Sequence, residues 1–370
     1  MTATATTPRS GTEDAWREGA DNLLLNCAAL KPGQTVLVIN EPAVWAERPA
    51  IEFIEARARV LGGKVQSVWT GRPSGPDAIP AELSAAIAAA DITIFNHMMG
   101  AMLRFRPLAG NGVRILNYAT TGALLESDFC RVPYGVWTRA SALIAKEMNA
   151  ARRWRVTCPL GSDIEGTVPE SERVPAAGTN ADGFALRTFP IGTHPPKSSL
   201  AASGRIAVRW LVSSSLFDIG SQGMRLDDVI HLEIERGRIR RIDGAARTVA
   251  QAKDFLEAIG RKRGKEGLIV NSWHIGVNPQ AFSPWRDTDD LEAWMNLAHN
   301  NPRMLHFHAV GDAIPGDISL PLIDPTVEID GRAFWDKGRS TLLDEAPFRA
   351  LAAEGRDGAR AFALNAAIGV

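Results

Sequence analysis

The chain is poor in cysteine and in net charge, and it has no long hydrophobic run. Its 370 residues include only three cysteines, Cys27, Cys130 and Cys158, with no CxxC spacing. That argues against a disulfide framework and against a cysteine zinc site, and it fits a reducing compartment. Lys and Arg number 41, Asp and Glu 42, and the two signs are interspersed for a net charge of −1. Such a balance offers no basic surface to nucleic acid or to an anionic membrane, and neither is expected as a partner. No apolar stretch approaches the roughly 18 residues that a membrane helix needs. No GxGxxG or GxxxxGK[ST] follows the first strand pattern, so a nucleotide site lacks its usual phosphate cradle. The N-terminus is polar, without the apolar core of a signal peptide, which predicts a disordered arm over residues 1–11 and a cytoplasmic location.

What is present reads as a globular chain, 45% hydrophobic and 22% charged, and too long for one ordinary core. Residues 12–153 alternate helix and strand. Helices are predicted over Thr12–Ala29, Pro49–Leu61, Ala81–Ala89 and Ser141–Arg153, and strands over Thr35–Asn40, Val65–Trp69, Asp91–Phe95 and Val113–Asn117. This alternation implies an α/β domain with a parallel sheet covered on both faces. Past Trp154 strands follow strands: Arg155–Cys158, Gly183–Phe189, Arg205–Val212, and a hairpin over Ile230–Ile242 turning at Arg236-Gly237. A helix over Thr248–Arg261 runs into the basic stretch Arg261–Lys265, read as a solvated helix end. Residues 154–340 are therefore expected to form a mostly antiparallel α+β domain. The Ala-rich remainder, 341–370, is expected to be a helical extension that packs on its own chain or on a partner subunit in a homo-oligomer.

That second domain carries the chemistry. Of seven histidines, His274, His306 and His308 lie close together in sequence, with Asp312 and Asp317 just beyond. His306 and His308 sit at i and i+2 of the apolar run Met304–Val310, so as a strand they share one face. His274 follows a second strand pattern, Gly267–Asn271. Imidazoles and a carboxylate converging at strand ends suit a divalent transition metal. Two histidines and one carboxylate suit Fe(II) oxygen chemistry, and a hydrolytic metal uses similar sets. His194, in a proline-rich loop, and His97, after a sheet strand, are candidate acid/base residues; Trp273 and Trp285 are candidate platforms for a planar ring.

Several phrases, read in order, carry a family resemblance: VTCPLGSD at 156–163, FPIG at 189–192, LEIERGRI at 232–239, HIGVNPQA at 274–281 and PTVEIDG at 325–331. Together they resemble the superfamily joining the aminopeptidase T metallopeptidases to the 2,5-dihydroxypyridine 5,6-dioxygenases. The peptidases carry a glutamate where this chain has Thr193, and another where it has His274; the dioxygenases have an iron-binding histidine at the latter place. The resemblance therefore implies that His274 is a metal ligand and disfavours a two-metal peptidase. Where both branches have His-x-Asp, this chain reads Asp317-Ile318-Ser319. A set of His274, His308 (or His306) and Asp317 restores two imidazoles and one carboxylate, with Ser319 beside it as a substrate contact. The implied activity is ring opening of a small hydroxylated aromatic or heteroaromatic compound by O2 and Fe(II). Single-metal hydrolysis, with Mn or Zn as the alternative ion, is the competing reading; a fold that has lost its metal is a third.

Overall fold

The structure, a computed structural model, describes residues 10–173, 179–180, 183–214 and 217–370. Most of the arm expected over residues 1–11 lies outside these. Two compact units are present: one comprises Met1–Arg139, Gly178–Ile191 and Ala352–Ala361, the other Ala140–Ala177, Gly192–Leu351 and Phe362–Val370.

The first unit is built on a five-stranded parallel sheet, in the order Lys64–Trp69, Thr35–Asn40, Ile92–Asn96, Val113–Asn117, Arg187–Phe189. The run TVLVIN is buried from Val36 onward, as a strand covered on both faces requires. Leu37, Ile39 and Phe95 pack with Leu83 and Ile87 of the helix Ala81–Ala89. At the carboxyl ends of three strands, buried amides are linked in a row: Asn96 donates to Asn40 (2.8 Å) and Asn117 to Asn96 (2.7 Å). One expectation changes here. The strand pattern ending at Phe189 does not join the antiparallel sheet; Arg187–Phe189 extends the parallel one beside Val113–Asn117. The first helix changes type along its length: it is α-helical over Ser10–Asp21 and continues as a wider π-helix over Asn22–Cys27.

The second unit holds an antiparallel sheet of twelve strands among the described residues. Its hairpin turns at Arg236-Gly237, both with positive φ (49° and 72°), the geometry that tight two-residue hairpins favour. Four neighbouring strands position the site: Ile318–Ile323, Met304–Ala309, Val270–Ile275 and the short Lys197–Ser198. Every residue of the two histidine strands is buried, so neither face meets water. One face is apolar: Trp273 and Phe307 pack on Trp154, at ring distances of 5.4 and 6.1 Å for Trp154 with each. The other face carries the histidines. A second cluster, with Trp210, Trp294, Met304 and Ile368, seats the helix Leu291–Ala298, whose N-cap Asp290 accepts from the Ala293 amide. The C-terminal stretch is less helical than expected: short helices span Ala346–Ala352 and Gly355–Ala361, and the chain beyond is irregular. No helix among the described residues is long and apolar enough to cross a membrane.

Candidate metal centre

Strand register brings the three histidines together. His274 pairs directly with His306 across the antiparallel ladder, and Ser272, two residues before His274, pairs with His308. Alternation then places all three imidazoles on one sheet face. The ring centroids lie 4.1 Å (His274–His306), 5.2 Å (His274–His308) and 4.8 Å (His306–His308) apart. One ligand atom from each falls within 4.8 Å of the others, and all three residues are buried.

The ring protons follow from the hydrogen bonds. His274 Nδ1 meets the His194 carbonyl at 3.0 Å, and His308 Nδ1 meets the Gly316 carbonyl at 3.2 Å. A carbonyl only accepts, so both Nδ1 atoms carry the hydrogen and, in neutral rings, both Nε2 atoms carry the lone pair. Those two Nε2 atoms face each other at 3.1 Å. Two lone pairs at that distance repel unless a cation lies between them. A proton bridges two nitrogens; a metal ion also serves the third imidazole. Nitrogens about 2.1 Å from one ion at tetrahedral or octahedral angles lie roughly 3.0–3.4 Å apart. The donor set thus fits a divalent transition ion that accepts imidazole.

The other expected residues fall in different places. Ser319 lies on the histidine face, paired with His308, and so does Ser272, which sequence reasoning passed over although it sits at i−2 from His274. Asp317 is not in the cluster: its buried carboxylate is held by Lys265 Nζ (3.0 Å) and Arg263 Nε (3.2 Å). The basic stretch Arg261–Lys265 does end the helix, with Arg261 and Lys262 exposed, but Arg263 and Lys265 are committed to this carboxylate. Asp312 is exposed. Trp273 points away from His274, onto Trp154, and its ring stands edge-on to His194 at 5.8 Å. Trp285 packs against the Trp210–Trp294 cluster.

His194 is buried, its ring 6.3 Å from that of His274. Its Nδ1 donates to the Pro195 carbonyl (2.6 Å), while Nε2 is buried without a hydrogen-bond partner. Burial pushes its pKa down to about 4, with the nearby Lys197 charge acting the same way against the Pro195 hydrogen bond. Lys197 is itself lowered by burial, and Glu172, whose carboxylate accepts from the Ser198 amide, is raised by burial. His97 belongs to the first unit. It caps the helix Met98–Leu103, accepting from the Met99 amide at Nδ1 (2.9 Å), and lies beside Glu41 and the Thr70 carbonyl. Burial lowers its pKa although Glu41 opposes the shift.

No protein-family model matches the chain, and no curated protein matches it. Solved structures share its fold, two of them as follows. The 2,5-dihydroxypyridine dioxygenase from Pseudomonas putida KT2440 is 15% identical, with 90% of this chain and 98% of that chain covered at a TM-score of 0.59. Wild-type AmpT from Thermus thermophilus is 11% identical, with 89% and 99% covered at a TM-score of 0.51. At such identities the likeness establishes the fold. It is the fold of the superfamily that the sequence phrases resemble.

Proposed function

We propose that the protein is a mononuclear metal-dependent dioxygenase that opens the ring of a small hydroxylated aromatic or heteroaromatic compound, with Fe(II) held by His274, His306 and His308. The observation that carries the metal site is the 3.1 Å approach of the His274 and His308 Nε2 atoms, each ring fixed from behind by a backbone carbonyl. The set differs from the one expected from sequence: His306 stands in place of Asp317. Three protein donors leave positions for substrate oxygens and O2, and Fe(II) in such a site supplies the one-electron chemistry that O2 requires. The shared fold with a dihydroxypyridine dioxygenase supports the substrate class. The protein's own residues supply the surroundings. The strands exclude water from the imidazoles, Ser272 and Ser319 flank His308 on the histidine face, and His194 stays neutral with its Nε2 lone pair available to a proton.

A second reading has its own support. Three neutral imidazoles without a carboxylate are the donor set of water-activating zinc sites, and the described cluster contains no carboxylate. Hydrolysis needs water and no O2, so one experiment separates the two. Protein purified without oxygen is assayed for metal, then for O2 uptake against a panel of dihydroxypyridines and dihydroxybenzoates. We expect about one iron per chain and O2 consumption matching substrate loss one to one. Turnover under strict anaerobiosis, with oxygen from labelled water in the product, would reverse the assignment.

A further inference from the structure

Asp317 stands next to the triad in sequence and does not join it, yet it is tied to one of its members through a single peptide unit. The carbonyl that accepts from His308 Nδ1 belongs to Gly316, and it lies in the same plane as the Asp317 amide. Whatever fixes Asp317 therefore aims that carbonyl.

The fixing is extensive. Both carboxylate oxygens of Asp317, whose side chain has no exposed surface, accept from Lys265 Nζ, at 3.0 and 3.1 Å, and Arg263 Nε adds a third contact at 3.2 Å. The Arg263 guanidinium is itself stacked on Phe217, 3.8 Å from the ring centroid. The Asp317 carbonyl accepts from the Ser214 amide (3.0 Å). On the other side of the peptide, the Gly316 amide donates to Asn271 Oδ1 (3.1 Å), and Asn271 Nδ2 donates to the carbonyls of Gly311 and Ala313. Position 316 must be glycine for this approach: a Cβ there would lie 2.3 Å from the Ala309 carbonyl oxygen.

We propose that Asp317 is a positioning residue, clamped by Lys265 and Arg263 so that the Gly316 carbonyl holds His308 in the Nδ1–H tautomer and turns its Nε2 lone pair toward His274 and His306. The proposal rests on the reading of the triad as a metal centre, and it gives Asp317 a role other than ligand. Hydrogen bonds of this kind, made to a ligand from behind, fix its tautomer and orientation, and their loss typically costs 10–100-fold in metal affinity. Both cations are about a quarter exposed, so the clamp is open to mutation from the solvent side.

The test uses the full chain labelled with 15N-histidine, in metal-free form and titrated with Co2+ against a chelator. Three variants are compared: Asp317→Asn, Lys265→Met and Lys265→Arg. Lys265→Met keeps Arg263 as a counter-charge and so retains a folded protein should Asp317→Asn fail to fold. In Asp317→Asn and Lys265→Met we expect His308 to gain the Nε2–H tautomer in the metal-free spectrum while His274 is unchanged. We also expect Co2+ to bind about 10–100-fold more weakly with stoichiometry preserved at saturation. Lys265→Arg should restore both. An unchanged His308 tautomer together with wild-type Co2+ affinity in both disrupted variants would overturn the proposal. Failure of the wild type to take up Co2+ would strike the metal reading alone, because the tautomer is read on metal-free protein and its shift would still uphold the clamp.

Discussion

His274 and His308 face each other through their Nε2 atoms at 3.1 Å, and neither ring can turn away without breaking its bond to the carbonyl of His194 or Gly316. A metal ion held at that point would relieve the repulsion between the lone pairs, and its binding would then be coupled to folding of the second unit.

The first prediction follows from that coupling. A ligand that binds only the folded state, at 100 times its dissociation constant, adds about 2.7 kcal/mol of stability. For a unit of this size that corresponds to a rise in Tm of roughly 5–10 °C. Divalent metal should produce such a rise in the wild type, and His274→Ala or His308→Ala should abolish both the rise and the bound metal. A His274→Ala protein that keeps full metal stoichiometry and the thermal shift would remove His274 from the site.

Trp273 supplies the contrasting case. It lies on the opposite face of the His274 strand, buried against Trp154. Trp273→Ala should therefore cost about 3–5 kcal/mol in urea unfolding, as large-to-small changes of a core aromatic do. The protein that remains folded should still bind one metal. A large loss of turnover at unaltered stability would instead make Trp273 a platform for substrate.

Much of this was legible in the sequence, and the rest was hidden for identifiable reasons. The parallel layer could be read from Thr35–Asn40, Ala81–Ala89 and Val113–Asn117 because apolar runs and helix caps are local signals. The shared face of His306 and His308 followed from strand alternation alone. The pairing of His274 with His306, by contrast, depends on the register between two strands, which no local pattern specifies. The capture of Asp317 by Arg263 and Lys265 joins residues more than 50 positions apart, and a basic helix end looks the same whether it meets solvent or a carboxylate. Arg187–Phe189 was assigned to the wrong sheet because a three-residue strand says nothing of its neighbour.

His97 predicts a pH dependence in the first unit. Burial lowers its folded-state pKa below the roughly 6.5 of an unfolded histidine. Between those two values the unfolded chain binds more protons, so stability rises with pH. The contribution is complete above about pH 6.5 and is lost as pH falls toward the folded value. His97→Gln should flatten this part of the profile, measured as the difference in urea midpoint between pH 5 and pH 7.5, wild type against variant. Identical slopes in the two proteins would show that His97 does not titrate with unfolding.

The last prediction separates the two chemical readings at the metal itself. All three donors of the described cluster are neutral, so a divalent ion there keeps its full charge and lowers the pKa of a bound water strongly. His306→Glu introduces one carboxylate from the strand position that directly faces His274, giving two histidines and an anion. That set is the one used by Fe(II) oxygenases with open positions, so O2-dependent turnover should survive, within about tenfold of the wild type. A water-activating enzyme should respond differently. The added negative charge raises the pKa of bound water, so the rate near neutral pH should fall and the acid limb of the pH–rate profile, set by deprotonation of that water, should move upward by about one unit. Measuring that profile for both proteins on the same substrate, with metal content held at one per chain, decides between them: a preserved profile supports oxygenation, and an upward shift supports hydrolysis.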